Sequence, residues 1–272
     1  MARLSPATLA IAALVGLANV GVVFALYARG DYPALEPTAE LAVLALTTFV
    51  VGVLPWFASA HTRLVTPALG FLGALAGTVF LELTTPAPEW SRLGEYVVVD
   101  GPTHASSYAN AWYVWLALLT VAGVLEFAIR RGYGIGDDRL RNLPTLPFSR
   151  DRLVRTVGAV AALVGLAATL LVLRSGIRPP AAAAVVFLFA AVVTAIPLAA
   201  LLARGIVAPT VLFALVPYFL IYEVFVTTDS PLHILLFGPY AVVLALAWAL
   251  EEAIRSRLGG WNGGRFAGQK PA

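Results

Sequence analysis

Apolar residues run along this chain in blocks of about twenty, separated by short stretches rich in proline, glycine and arginine. Eight blocks stand out, at roughly 7–28, 38–59, 64–85, 108–129, 154–173, 181–203, 206–227 and 231–254. Each is long enough, as a helix, to cross about 30 Å of hydrocarbon. The first block resembles a secretory signal only superficially. Its apolar run exceeds the usual length of about 7–15 residues, and Leu26-Tyr27-Ala28 is a poor cleavage site. The pattern therefore predicts an all-α integral membrane protein with about eight transmembrane helices.

Composition strengthens that reading. Of the 272 residues, 60% are hydrophobic and 12% charged, whereas soluble domains average about 45–50% and about 25%. A soluble fold of this size could not hide so much apolar surface, but a bilayer accepts helices that are apolar all round. The chain has no cysteine, which excludes disulfides, thiolate catalysis and cysteine-ligated metals. Seventeen arginines against one lysine read as genome bias. The formal charge of +3 implies no nucleic-acid partner.

The basic residues set an orientation. With eight spans, one side holds the N-terminus, three loops and the C-terminal tail. That side carries fourteen basic residues, seven of them between Arg130 and Arg155, and the other side carries four, Arg29, Arg92, Arg174 and Arg178. The expected location is the cell membrane, with both termini cytoplasmic. The loop 131–153, with Gly132, Gly134, Gly136, Pro144 and Pro147, reads as a basic linker facing anionic lipid headgroups.

The chain also carries an internal echo. Ala12-Ala13-Leu14-Val15-Gly16-Leu17-Ala18 recurs as Ala161-Ala162-Leu163-Val164-Gly165-Leu166-Ala167, with Arg29 matching Arg178. Val50-Val51, Pro55, Val65, Pro67 and Phe71 match Val192-Val193, Pro197, Val207, Pro209 and Phe213 at one offset of 142. Thr84-Thr85 before Pro86 echoes Thr227-Thr228 before Pro231. Leu125-Glu126-Phe127-Ala128-Ile129-Arg130 resembles Leu250-Glu251-Glu252-Ala253-Ile254-Arg255 at an offset of 125, so the first half holds about 17 extra residues near 86–107. These matches predict a 4+4 parallel duplication. Its parts are a first four-helix repeat at 1–130 with an outer loop at 86–107, the linker, a second repeat at 154–256, and a tail at 257–272. Four spans per copy give both copies the same sense through the membrane.

Chemistry-bearing residues are few. Glu82 and Glu223 lie late in the third and seventh helices at nearly equivalent positions, offset by 141. Acids inside membrane spans face a partner, a cavity or the bundle interior, so these two are the candidate ligand or ion sites. The competing expectation is an interfacial anchor reached by water and headgroups. Pro55 and Pro197, inside the second and sixth helices, are candidate hinges or kinks because each removes a helical hydrogen bond. Pro67 and Pro209 fall in first turns, where proline costs little. Gly70, Gly73 and Gly77 are expected to permit close helix approach. Glu126 with Arg130, and Glu251 with Arg255, have the favourable i,i+4 order of an ion pair. In the outer loop, Glu95–Gly101 suggests a short strand and turn.

Several chemistries are excluded or unsupported. Glu251-Glu252 and Arg255 depart from the pattern of CAAX-endopeptidase-like membrane proteases, because only two residues separate Glu252 from Arg255 and no histidine follows. His61, His104 and His233 lack the spacing of a haem or metal site, although His104 and His233 share the outer side and could approach each other there with Asp100 or Asp229 as a metal site. The only lysine, Lys270, is in the tail, so a retinal Schiff base is excluded. No catalytic residue, cofactor or metal ligand is assigned, and an enzyme is disfavoured. The sequence leans weakly to a transporter-like or channel-like bundle for a small solute or ion. The alternative is a non-catalytic membrane scaffold, lipid-binding protein or complex subunit. A protein partner or homo-oligomer stays open. Polar residues at mid-membrane are scarce, chiefly Asn19, Thr47, Thr48, Thr78, Thr120 and Thr194.

Overall fold

A computed structural model describes residues 5–33, 38–176, 179–226, 232–258 and 264–266. Among the described residues eight helical stretches are long and apolar enough to cross a membrane, one of them, Ala208–Phe225, made of two helices in succession. The elements run α1 Pro6–Arg29, α2 Thr38–Thr62, α3 Thr66–Thr84, β1 Glu89–Leu93, β2 Tyr96–Asp100, α4 His104–Asn110, α5 Trp112–Tyr133, α6 Arg150–Arg174, α7 Pro180–Arg204, α8 Ala208–Leu212, α9 Leu215–Phe225 and α10 Phe237–Leu258. Short 3-10 turns occupy Asp137–Arg139, Leu232–Leu236 and Gly264–Phe266. Arg3, Arg178, the Thr227-Thr228 and Pro231 echo, Asp229, Lys270 and most of the tail lie outside the described residues.

The exposed faces have the character that lipid requires. Leu14 (64%), Val43 (62%), Leu46 (63%) and Phe80 (65%) are uncovered on α1, α2 and α3. Water would penalise each such side chain, and bands of them on several helices need an apolar phase. The chain is accordingly a multi-pass membrane protein.

Packing groups it into two units, Met1–Leu119 and Thr120–Ala272, with the boundary inside α5. In the first, α1 and α2 form the closest pair. Their backbones meet at Gly52 and Gly16, where a Cβ on Gly52 would lie 2.8 Å from the Gly16 Cα. Small residues allow such an approach, and dispersion contacts reward it. In the second, α6 and α7 are the closest pair, with Gly165 lying under the Phe187 ring. Gly70 is a close-approach position too, set against Leu119. Gly73 and Gly77 are not, since a Cβ on either would meet nothing within 4 Å among the described residues. The expected glycine seam on α3 therefore reduces to one residue.

Local backbone geometry recurs between the units. Arg63 has φ 65° and Gly205, 142 positions later, has φ 64°. Their amides donate to Ser59 and Leu201, each at 2.8 Å. Val65 (φ −102°, ψ −37°) and Val207 (φ −104°, ψ −33°) cap the next helices, which carry Pro67 and Pro209 in the first turn. Leu69 and Val211 return hydrogen bonds to those caps, each at 3.0 Å.

The seventh span is interrupted where the third is not. Pro217 has no N–H for the Phe213 carbonyl, and its ring crowds that carbonyl. Phe213 instead accepts from Val216 at 2.9 Å, a tighter i→i+3 turn, and α8 stops there. Leu75 stands 142 positions before Pro217, and α3 runs through it. Helices α2 and α7 continue through Pro55 and Pro197, both buried.

Between α3 and α5 the chain forms a β-hairpin and a short helix. β1 and β2 pair antiparallel from Glu89↔Asp100 to Leu93↔Tyr96, with Gly94 at φ 64° in the turn. The strand expected near Glu95–Gly101 is β2, and its partner β1 lacked the alternation that would have announced it. The short helix α4 packs against α1, α2 and α3 and buries His104, Ala105, Tyr108 and Ala109.

Candidate functional site

Glu82 sits in the last turn of α3, yet it is only 8% exposed. The Tyr32 hydroxyl donates to its Oε1 at 2.8 Å, and the Ala105 amide donates to its Oε2 at 2.8 Å. The carboxylate thus joins the turn after α1 to the first turn of α4. Tyr32 is itself pinned, stacked on Tyr27 with centroids 4.4 Å apart and edge-on to Trp90 at 5.1 Å. The Trp90 indole N–H donates to the Gly30 carbonyl at 2.7 Å and ties the hairpin to the same corner. Burial, then the hydrogen bond to Glu82, pushes the Tyr32 phenol well above its ordinary range. The phenol therefore stays protonated and remains the donor.

A second polar cluster lies deeper in the first unit. Asn19, fully buried, donates from Nδ2 to the Thr48 carbonyl at 2.7 Å and accepts at Oδ1 from the Tyr108 hydroxyl at 3.1 Å. The Trp115 indole donates to the Tyr108 carbonyl at 3.0 Å. A buried amide without partners would be costly, and here α2 and α4 supply them. This network cross-links α1, α2, α4 and α5.

In the second unit Glu223 is 7% exposed near the end of α9. Its Oε2 lies 2.9 Å from the His233 Nε2, an ion-pair contact rather than a well-aligned hydrogen bond. The imidazole packs against Phe219 and Tyr222, with centroids at 5.6 and 6.0 Å. Both glutamates are buried within their own units. Among the described residues no group of three or more His, Asp or Glu side chains could hold a metal ion. His104 is buried in the first turn of α4, and His233 is committed to Glu223.

Both expected ion pairs form at the arginine-rich ends. Arg130 meets Glu126 at 2.9 Å, and Arg255 pairs with Glu251. Glu251 also accepts from the Val207 amide at 3.0 Å and the Ala208 amide at 2.5 Å, so it caps α8. Arg204 pairs with Glu252, which also accepts from the Trp248 indole at 3.1 Å. Asp137 pairs with Arg131 and Arg265. Desolvation alone would raise its carboxyl, but the two guanidinium groups outweigh that and hold it below the ordinary carboxylate range.

Sequence reasoning found the two acids and missed Tyr32, Trp90, Ala105, Asn19 and Tyr108 as a set. A tyrosine in a short turn and an alanine amide have no motif. Asn19 alone offered a signal, as a lone amide inside an apolar block. No protein family, curated protein or solved structure matches this chain.

Proposed function

We propose a transporter-like or channel-like membrane bundle for a small solute or ion, with Glu223 and His233 as its proton- or cation-exchanging pair. The observation that carries this is their 2.9 Å contact inside a buried, aromatic-lined corner. A buried carboxylate beside an imidazole is a pairing that proton- and cation-coupled membrane proteins use. A cation arriving at Glu223 would compete with the His233 ring for the carboxylate. Intramembrane acids with such partners mark ion and proton pathways. Glu82 occupies the matching place in the first half, but both its oxygens accept from fixed donors. Its role in this reading is to position the corner.

The architecture proposed is a tandem duplication of four spans, supported by the recurring sequence blocks and by the matched backbone at 63 and 205 and at 65 and 207. The orientation proposed has both termini in the cytoplasm, supported by the arginine asymmetry. The arginines Arg139, Arg141, Arg150, Arg152 and Arg155 are exposed, as contact with anionic headgroups requires; each such contact contributes about 1 kcal/mol. Single cysteines at Ser91 and Ser149, both exposed, check the orientation. An impermeant thiol reagent on intact cells should label position 91 alone, and labelling at 149 alone reverses the topology.

The second reading, a scaffold, is favoured by one observation. The hydroxyls of Thr47, Thr48, Thr78 and Thr194 all donate to carbonyls of their own helices, which leaves few polar groups to line a path. Purified protein in vesicles of phosphatidylethanolamine and phosphatidylglycerol, loaded with a pH-sensitive dye, separates the two. Imposed sodium, potassium or proton gradients should produce protein-dependent proton movement that falls about tenfold or more in Glu223→Gln. Flux absent under every gradient, or unchanged in Glu223→Gln, leaves the scaffold standing.

A further inference from the structure

The described tail residues, Gly264–Phe266, form a single 3-10 turn, yet Phe266 is only 3% exposed. Its ring lies where two side chains are missing. A Cβ on Gly132 would sit inside the ring, and a Cβ on Gly205 would come within 2.6 Å of it. Tyr133 closes one wall edge-on at 5.3 Å, and its hydroxyl donates to the Gly205 carbonyl. Beside the ring, Arg265 pairs with Asp137, which Arg131 also holds.

The two glycines are not explained by backbone needs alone. Gly132 lies in the last turn of α5 without a positive φ, where alanine would serve a helix better. Gly205 has φ 64°, but Arg63 adopts φ 65° at the matching position of the first unit, so the conformation does not demand glycine. By the offset of 125, the counterpart of Gly132 is Arg257. Both glycines thus stand where the other half carries arginine, and both touch the same phenyl ring.

We propose that Gly132, Tyr133, Gly205 and Asp137 form a binding socket for an arginine–phenylalanine pair, filled by the chain's own Arg265–Phe266 as a latch. The ring supplies shape-selective apolar burial, and the guanidinium–carboxylate pair fixes the register. The latch ties the end of α7 to the turn 133–139 that opens the basic loop, so its release frees the start of that loop. A partner displacing it would present the same chemistry, an arginine followed by an aromatic residue. This inference is independent of the Glu223–His233 reading.

Trypsin cleaves after Arg265 only when the segment leaves its turn and extends. The test uses full-length protein in lipid nanodiscs, following loss of residues 266–272 by intact mass. Gly132→Ala, which plugs the socket without touching the tail, and Phe266→Ala, which removes the ring without touching the helices, should each raise cleavage about tenfold. The double variant should be no faster than either single one, since both remove the same contact. Elution of Phe266→Ala should match the parent, showing an intact body. Cleavage unchanged in either variant, or additive in the double one, overturns the latch.

Discussion

The ends of the third and seventh spans present one design with two outcomes. Each carries a buried glutamate near its last turn, and each is followed by a short helical piece before the next span: α4 in the first unit, the turn Leu232–Leu236 in the second. In the first, backbone and phenol donors hold both carboxylate oxygens. In the second, one carboxylate oxygen meets an imidazole. Similar local chain geometry therefore accommodates a buried carboxylate held by amide and phenol donors or one set against an imidazole. The same contrast holds within the spans, where Pro217 breaks the seventh and Leu75 leaves the third whole.

The sharpest way to break this comparison is to exchange the span residues. Leu75→Pro should cost about 3 kcal/mol or more, because it removes a helical hydrogen bond and crowds a carbonyl. It should lower the melting temperature in a fixed detergent. Pro217→Leu should restore a donor and slow amide hydrogen exchange across 213–217. Exchange that stays fast there would show that tertiary packing, not proline, sets the break.

A somewhat smaller effect is expected at the glutamates. Glu82→Ala orphans the Ala105 amide and the Tyr32 hydroxyl, and each unsatisfied buried group costs about 1–3 kcal/mol. Glu82→Gln should be much milder, since the amide oxygen can accept from Ala105 while its NH2 donates to Tyr32. Glu223→Ala should cost less than Glu82→Ala, because the His233 ring keeps its packing against Phe219 and Tyr222, whereas Glu82→Ala removes the acceptor of a backbone amide. Melting temperatures of the three variants rank them, and equal losses would erase the distinction between the two corners.

The smallest effect concerns the matched left-handed residues. Arg63→Gly should stabilise by about 1 kcal/mol, relieving a conformation that disfavours a Cβ. Gly205→Ala should destabilise by about 1–2 kcal/mol, adding that strain to the clash with Phe266. Opposite shifts in melting temperature would confirm that one backbone serves two surroundings.

Much of the fold was legible because the bilayer imposes a simple rule. Backbone groups cannot go unpaired in hydrocarbon, so long apolar blocks become helices, and all eight expected spans have counterparts. Boundaries failed where residues before a span fold back. The fourth helix was expected from 108 and begins at Trp112, after α4; the eighth was expected from 231, and α10 begins at Phe237. In both places apolar residues serve a short helical piece, which periodicity cannot separate from the span that follows.

Composition and spacing determined the spans, the helix-starting prolines, the i,i+4 ion pairs and the two acids worth watching, because each depends on near neighbours in the chain. Tertiary structure alone decided what those acids meet. Tyr32 lies 50 positions before Glu82 and Ala105 lies 23 after it, and Phe266 finds a socket built from Gly132 and Gly205. Such partners are chosen by how helices pack, and a single amide, phenol or missing Cβ leaves no periodic trace in a sequence. Lipid writes its demands along the chain, whereas a buried polar group has its demands met by whatever the fold brings beside it.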